Sequence, residues 1–170
     1  MRLYHISEDG NIRNFKPRES IEMWNNEYYV WAISEGYYHN YLFPRDCPRI
    51  CVQQSDLPWI IDRIDLELDY VPTALILIPS SWRNSIENTT LFLYEFSPTN
   101  FICMDASAGY YVSKQEEQPI SKTKIQDSQV LLESLNTAVV MKEIRELERI
   151  KDLVVNNCEH FSVIRWNKLY

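Results

Sequence analysis

The sequence predicts an α+β domain built on a mixed, largely antiparallel sheet with flanking helices. Strand-like runs outnumber helical ones and are irregularly interspersed with them, which disfavours a strict alternation around a parallel sheet. The run from Thr73 to Ile78, apolar and bounded by Pro72 and Pro79, has the signature of a buried strand. At 170 residues and 20.3 kDa the chain is expected to form one domain, large enough to bury a core without disulfides or metals.

Arg2 to Ile6 alternates polar and apolar residues and reads as a first strand, closed by the turn Ser7-Glu8-Asp9-Gly10 and carrying His5 near its end. Residues 11–27 lack periodicity and predict a long loop with a short helix around Glu19 to Trp24. The stretch from Tyr28 to Cys51 is the densest in signals. Tyr28 to Ile33 is a β-branched and aromatic strand, and Ser34 is placed to cap a helix from Glu35 to Leu42, with Tyr38, Tyr41 and Leu42 on one face. Pro44 ends that helix. A loop with Arg45 and Arg49 around Asp46-Cys47-Pro48 then feeds a short strand from Arg49 to Gln53, so two guanidinium groups lie near a strand start and are suited to clamping a diphosphate.

Farther on, Ser55 with Leu57-Pro58 opens a helix to about Leu68, and Ser80 or Ser81 caps a short helix to Ile86. Strands are expected at Thr89 to Phe96, Phe101 to Met104, Gly109 to Ser113, Ser121 to Ile125 and Thr137 to Met141. A helix from Asp127 to Leu135 and a charged, mostly solvated helix from Lys142 to Val154 follow the same pattern, the latter broken by Asn156-Asn157 before a last strand from Glu159 to Trp166.

Composition narrows the partners. A net charge of -7 opposes wrapping of a nucleic-acid backbone, so bulk nucleic acid is not an expected partner. No leader-like segment or bilayer-length apolar run is visible, so a cytoplasmic protein with no membrane partner is expected. Four cysteines are too few for a disulfide scaffold, and Cys47 and Cys51 lack a second pair at zinc-ligand spacing. A Cys47 nucleophile beside the positive Arg45 would have a depressed pKa, but no histidine is obviously placed as its base. Eleven tyrosines and five tryptophans exceed what a core alone requires, which directs attention to Tyr29, Trp31, Tyr37, Tyr110 and Tyr111 as ring-stacking candidates or as core and cross-strand pairs.

Against that background, WAISEGYYHNY resembles the segment after the second core strand of ADP-ribosyltransferases of the poly-ADP-ribose polymerase type. Leu3-Tyr4-His5 is similar to the first strand of those enzymes, whose histidine holds the nicotinamide-side ribose of NAD. Gly109 to Ser113, GYYVS, resembles both their glutamate-bearing strand and the matching strand of NAD-dependent RNA 2'-phosphotransferases. The resemblance covers residues 2–125 and implies a transferase-like core with a central cleft, residues 126–170 being a C-terminal extension.

It further implies NAD or a related nucleotide as cofactor or ligand, His5 as the catalytic candidate, and His5, Trp31, Tyr38, Arg45, Arg49 and Tyr110 as its contacts. Two positions depart from the family pattern: Val30 stands where the stacking tyrosine is expected, with Tyr29 and Trp31 on the other sheet face, and Gly109 stands where the glutamate is expected. Loss of that carboxylate removes the group that stabilises the ribosyl cation. Glu116 and Glu117 are the nearest replacements, or else solvated charges. The chain also resembles an uncharacterised bacterial family of similar length with comparable WA, FPRDCPR and AGYWVS segments.

His5 is read either as a ligand-binding imidazole or as a core histidine bound to a backbone carbonyl. His39 is read as packing. His160 and Glu159 are not expected to converge, because neighbours on a strand face opposite ways. Two functions stay open: nucleotide binding with ADP-ribosyl or phosphate transfer, and a catalytically degenerate binding module of the same fold.

Overall fold

The computed structural model describes residues 1–19, 27–66 and 68–170. The chain divides into two compact units, each assembled from two separate segments: residues 1–41 with 90–126, and residues 42–89 with 127–170. The break after residue 126 falls beside the boundary implied by the resemblance. Residues 42–89, however, pack with the C-terminal segment.

The first unit holds strands β1 (Leu3–Ser7), β2 (Arg18–Glu19) and β3 (Tyr28–Ser34). The second contributes β4 (Arg49–Gln53), helix α1 (Leu57–Arg63), β5 (Ala74–Pro79) and helix α2 (Arg83–Asn88). The chain then returns to the first unit for β6 (Leu91–Phe96), β7 (Ile102–Asp105), β8 (Tyr110–Ser113) and β9 (Ser121–Ile125). Helix α3 (Ser128–Ser134), β10 (Thr137–Lys142), helix α4 (Ile144–Asn157) and β11 (Phe161–Ile164) complete the second.

The strands of the first unit form a seven-stranded antiparallel sheet in the order β7-β8-β3-β1-β6-β9, with β2 paired to β3. Its core lies on the face that carries Leu3, Val30, Ala32, Tyr94 and Phe96, over which Phe15 and Phe101 close. In the second unit the order is β10-β5-β4-β11, with β10 parallel to β5 and the other pairs antiparallel. All six residues of β5 are buried. Ile50, Val52, Leu75 and Leu77 meet Ile60 of α1 and Leu147, Ile150 and Val154 of α4 on one face. The molecule is therefore α+β with mostly antiparallel pairing, as expected, but the strands are shared between two sheets.

Several predicted elements change form. The helix expected over Glu35 to Leu42 is a turn followed by one 3-10 turn, Tyr38–Tyr41. Ser34 does not cap it: its N–H donates to the Gly109 carbonyl at 2.9 Å and its carbonyl accepts from Tyr37 N at 2.9 Å. Helix α1 ends at Arg63 rather than near Leu68, and Asp65 takes a left-handed φ of 51°, a conformation aspartate tolerates beyond a helix end. Neither Ser80 nor Ser81 caps α2. A 3-10 turn, Ser80–Trp82, leads into it.

Asn156 and Asn157 extend α4 rather than break it, each donating from its side chain to a carbonyl four residues back, Asp152 at 2.7 Å and Leu153 at 2.8 Å. The last strand stops at Ile164 because Arg165 adopts φ 52°. The short helix expected around Glu19 to Trp24 falls largely outside the described residues; Arg18 and Glu19 themselves pair with Tyr29 and Tyr28. Among the described residues no helix is long and apolar enough to cross a membrane.

Candidate functional site

The sheet of the first unit sorts the sequence-predicted residues onto two faces. Side chains alternate along a strand, so Leu3 and His5 share the core face with Ser34, Ala32 and Val30, while Tyr4, Tyr29, Trp31 and Ile33 share the other. Tyr110 pairs with Ile33 and joins the second group. Tyr38 packs at a tilt against Tyr4 with ring centres 5.1 Å apart, on that same side. Burial raises the phenol pKa of both Tyr4 and Tyr38. Thus His5 lies on one face and Trp31, Tyr38 and Tyr110 lie on the other.

The two faces communicate through the backbone. Nδ1 of His5 is 3.0 Å from the Trp31 carbonyl, which can only accept, so Nδ1 carries the proton and donates. In the neutral ring Nε2 is then the acceptor nitrogen. The imidazole is half-buried, with Phe15 edge-on at 4.9 Å. Behind Phe15 a buried carboxylate closes the same side: Glu117 and Phe15 exchange backbone hydrogen bonds at 2.8 and 2.9 Å, and the Ser113 hydroxyl donates to Glu117 Oε1 at 2.6 Å. Ser113 is opposite Val30 and hence on the His5 face. Glu117 is only 7% exposed, so it is not the solvated charge that its loop position suggested, whereas Glu116 is exposed.

On the opposite face Trp31 meets Tyr110 edge-on at 5.9 Å and Tyr29 at 6.2 Å, and the hydroxyl of Tyr41 donates to that of Tyr110 at 2.8 Å. These rings pack against one another as strand aromatics do.

Gly109 is the position that the resemblance aligned with a glutamate. Its φ is +71°, and a Cβ built there would stand 2.5 Å from the Tyr37 ring and 2.7 Å from Ser34 Oγ. Neither the backbone conformation nor the space admits a glutamate.

Arg45 and Arg49 belong to the second unit. Arg45 is exposed, but Arg49 is 2% exposed, donating through Nη1 to the Cys47 carbonyl at 2.7 Å and lying over the Phe43 ring at 5.6 Å. These contacts make Arg49 an internal tie of the FPRDCPR loop. Burial pushes the Cys47 thiol up to about 12, with Arg49 opposing the shift, so Cys47 lacks the depressed pKa a nucleophile would require.

One cluster was not visible in the sequence. Asp56 and His160 are 104 positions apart, yet His160 N donates to Asp56 Oδ2 at 2.7 Å, and His160 Nδ1 lies 3.1 Å from Ser55 Oγ and 3.7 Å from Asp56 Oδ2. Serine, histidine and aspartate suggest a hydrolytic triad, but both partners here address the same ring nitrogen. A relay needs one partner on each nitrogen, so the cluster ties the start of α1 to β11. Among the described residues no group of three or more His, Cys, Asp or Glu is arranged to hold a metal ion.

Compared with known proteins, residues 4–168 match a protein family described as a family of unknown function (DUF6886). No curated protein and no solved structure matches the chain.

Proposed function

The chain belongs to that family of unknown function, the match spanning all but three residues at one end and two at the other, and from the geometry of its first unit we propose that it binds NAD or a related nucleotide on an ADP-ribosyltransferase-like scaffold without transferring ADP-ribose. The observation that carries the binding reading is the orientation of His5 by the Trp31 carbonyl. With Nδ1 donating to that carbonyl, the acceptor nitrogen of the neutral ring is Nε2, the type of atom that a ribose hydroxyl demands of its partner. The same bond also suits the core-histidine reading, so ligand binding and its loss in His5→Ala decide between the two.

The reading that transfer is absent is supported by Gly109, the position that the resemblance aligned with the glutamate. Stabilising a ribosyl cation requires a carboxylate aimed at the charge that develops, and position 109 has no room for one. A second reading is favoured by Glu117: its buried carboxyl group, on the His5 side of the sheet, would supply the missing charge if the protein does turn NAD over.

Thermal shift and calorimetry with NAD and ADP-ribose test the proposal. Ligand at a hundredfold excess over its dissociation constant stabilises a fold by about 2.7 kcal/mol, a readily measured rise in melting temperature, and His5→Ala is expected to abolish it. If neither ligand raises the melting temperature, nucleotide binding is rejected. NAD consumption that is lost in Glu117→Gln would replace the binding reading with the transferase one.

A further inference from the structure

At the open end of the β1 turn the first unit carries a hollow of about 380 Å³ lined by Gly10, Asn11, Ile12, Arg13 and Lys122. Its wall is pinned. The Tyr94 hydroxyl donates to the Asp9 carbonyl at 2.7 Å and accepts from Ile12 N at 3.2 Å, while Asp9 Oδ1 accepts from Asn11 N at 2.8 Å. Its charge is placed as well: Lys122 Nζ donates to the Gly10 carbonyl at 2.7 Å and stands 5.8 Å from the centre of the Phe92 ring, which orients the exposed ammonium at the rim. Arg13, exposed on the same wall, adds a planar fork of donors.

We infer that this hollow is an anion site that takes a phosphate or diphosphate group, with Lys122 and Arg13 as its charged contacts. A chain of net charge -7 repels anions in general, and two cations lining one concavity oppose this locally, outnumbering the single Asp9 carboxylate that the wall carries. The site also replaces an expectation from the sequence, because Arg49 is too buried to clamp a diphosphate. It goes beyond the nucleotide reading, since a free inorganic anion satisfies the same contacts. The two are nevertheless linked by the chain: the loop that forms the wall runs on to Phe15, which lies against His5.

The test titrates isotope-labelled protein with inorganic pyrophosphate at constant ionic strength and follows the backbone amides of Gly10 to Arg13. Saturable shifts are expected, weakened roughly tenfold by Lys122→Gln and by Arg13→Gln, retained in Lys122→Arg, and unaffected by Lys168→Gln in the other unit. ADP-ribose is the second arm. Tighter binding at the same amides identifies a nucleotide as the source of the phosphate. Shifts with pyrophosphate alone leave the anion site standing and count against the nucleotide reading. Shifts that fail to saturate, or that persist unchanged in Lys122→Gln, overturn the inference.

Discussion

Cys47 and Cys51 are wholly buried in the second unit, and desolvation pushes both thiols up to about 12, whereas Cys103 is exposed on β7. A thiol-specific chromogenic reagent at pH 8 should therefore label one cysteine quickly in the native protein and all four after denaturation. Rapid labelling of Cys47 would show that the FPRDCPR loop opens. The same shifts act on stability. From an ordinary value of 9.0, a raised thiol pKa means that the native state binds more protons than the unfolded chain between about pH 9 and 12. The stabilisation is complete below 9 and falls as pH rises, by up to about 1.4 kcal/mol per unit for each thiol. Urea midpoints at pH 8 and pH 10 measure the fall, and Cys51→Ala should make it shallower.

Ser113→Ala leaves the Glu117 carboxylate buried without that donor and should cost about 2 kcal/mol in urea unfolding, as hydrogen bonds to charged groups do. Nothing in the local sequence announces this pair, because Ser113 closes a strand and Glu117 follows in a charged loop. The opposed faces of His5 and Trp31, by contrast, follow from strand parity once both strands and their pairing are known. Parity was legible for each strand by itself. The pairing that sets β1 against β3 was not, because it joins residues about thirty positions apart.

At the scale of elements, the strands were legible wherever β-branched and aromatic runs met turn residues, and the predicted Ser121 to Ile125 coincides with β9. Helices were harder. Gly36 and the tyrosines, histidine and asparagine around it are mediocre helix formers, and the Ser34 amide is already engaged by the Gly109 carbonyl, so the segment settles into a single 3-10 turn. Helix α3 was read correctly because its cap is local: Asp127 accepts from Gln129 N at 2.9 Å and Val130 N at 3.1 Å. Asp127→Ala should cost about 1 kcal/mol in chemical denaturation, with Asp127→Ser recovering most of it. An unchanged midpoint would mean that α3 is held by its contacts with β10 and that the cap is incidental.

The partition of the whole molecule was the least legible feature, since no composition change marks residues 41 or 89, two of the three places where the chain passes between units. Each unit closes only when distant segments meet, and this has a consequence for truncation. A fragment of residues 1–126 retains every strand of the first sheet but loses β10, β11, α3 and α4 from the second. Leu147, Ile150 and Val154 of α4 are wholly buried against the strands of the second sheet. At about 2 kcal/mol for each buried side chain, those three alone approach the net stability of an ordinary domain, roughly 5–15 kcal/mol. Hydrogen exchange on the fragment should therefore show β4 and β5 stripped of protection while β1, β3 and β6 keep theirs. The retained protection would place His5, Glu117 and the Gly10–Lys122 hollow on a body that folds without residues 127–170. Equal loss across both sets of strands would mean that the two units unfold as one, and the nucleotide and pyrophosphate measurements would then have to be made on the full chain alone.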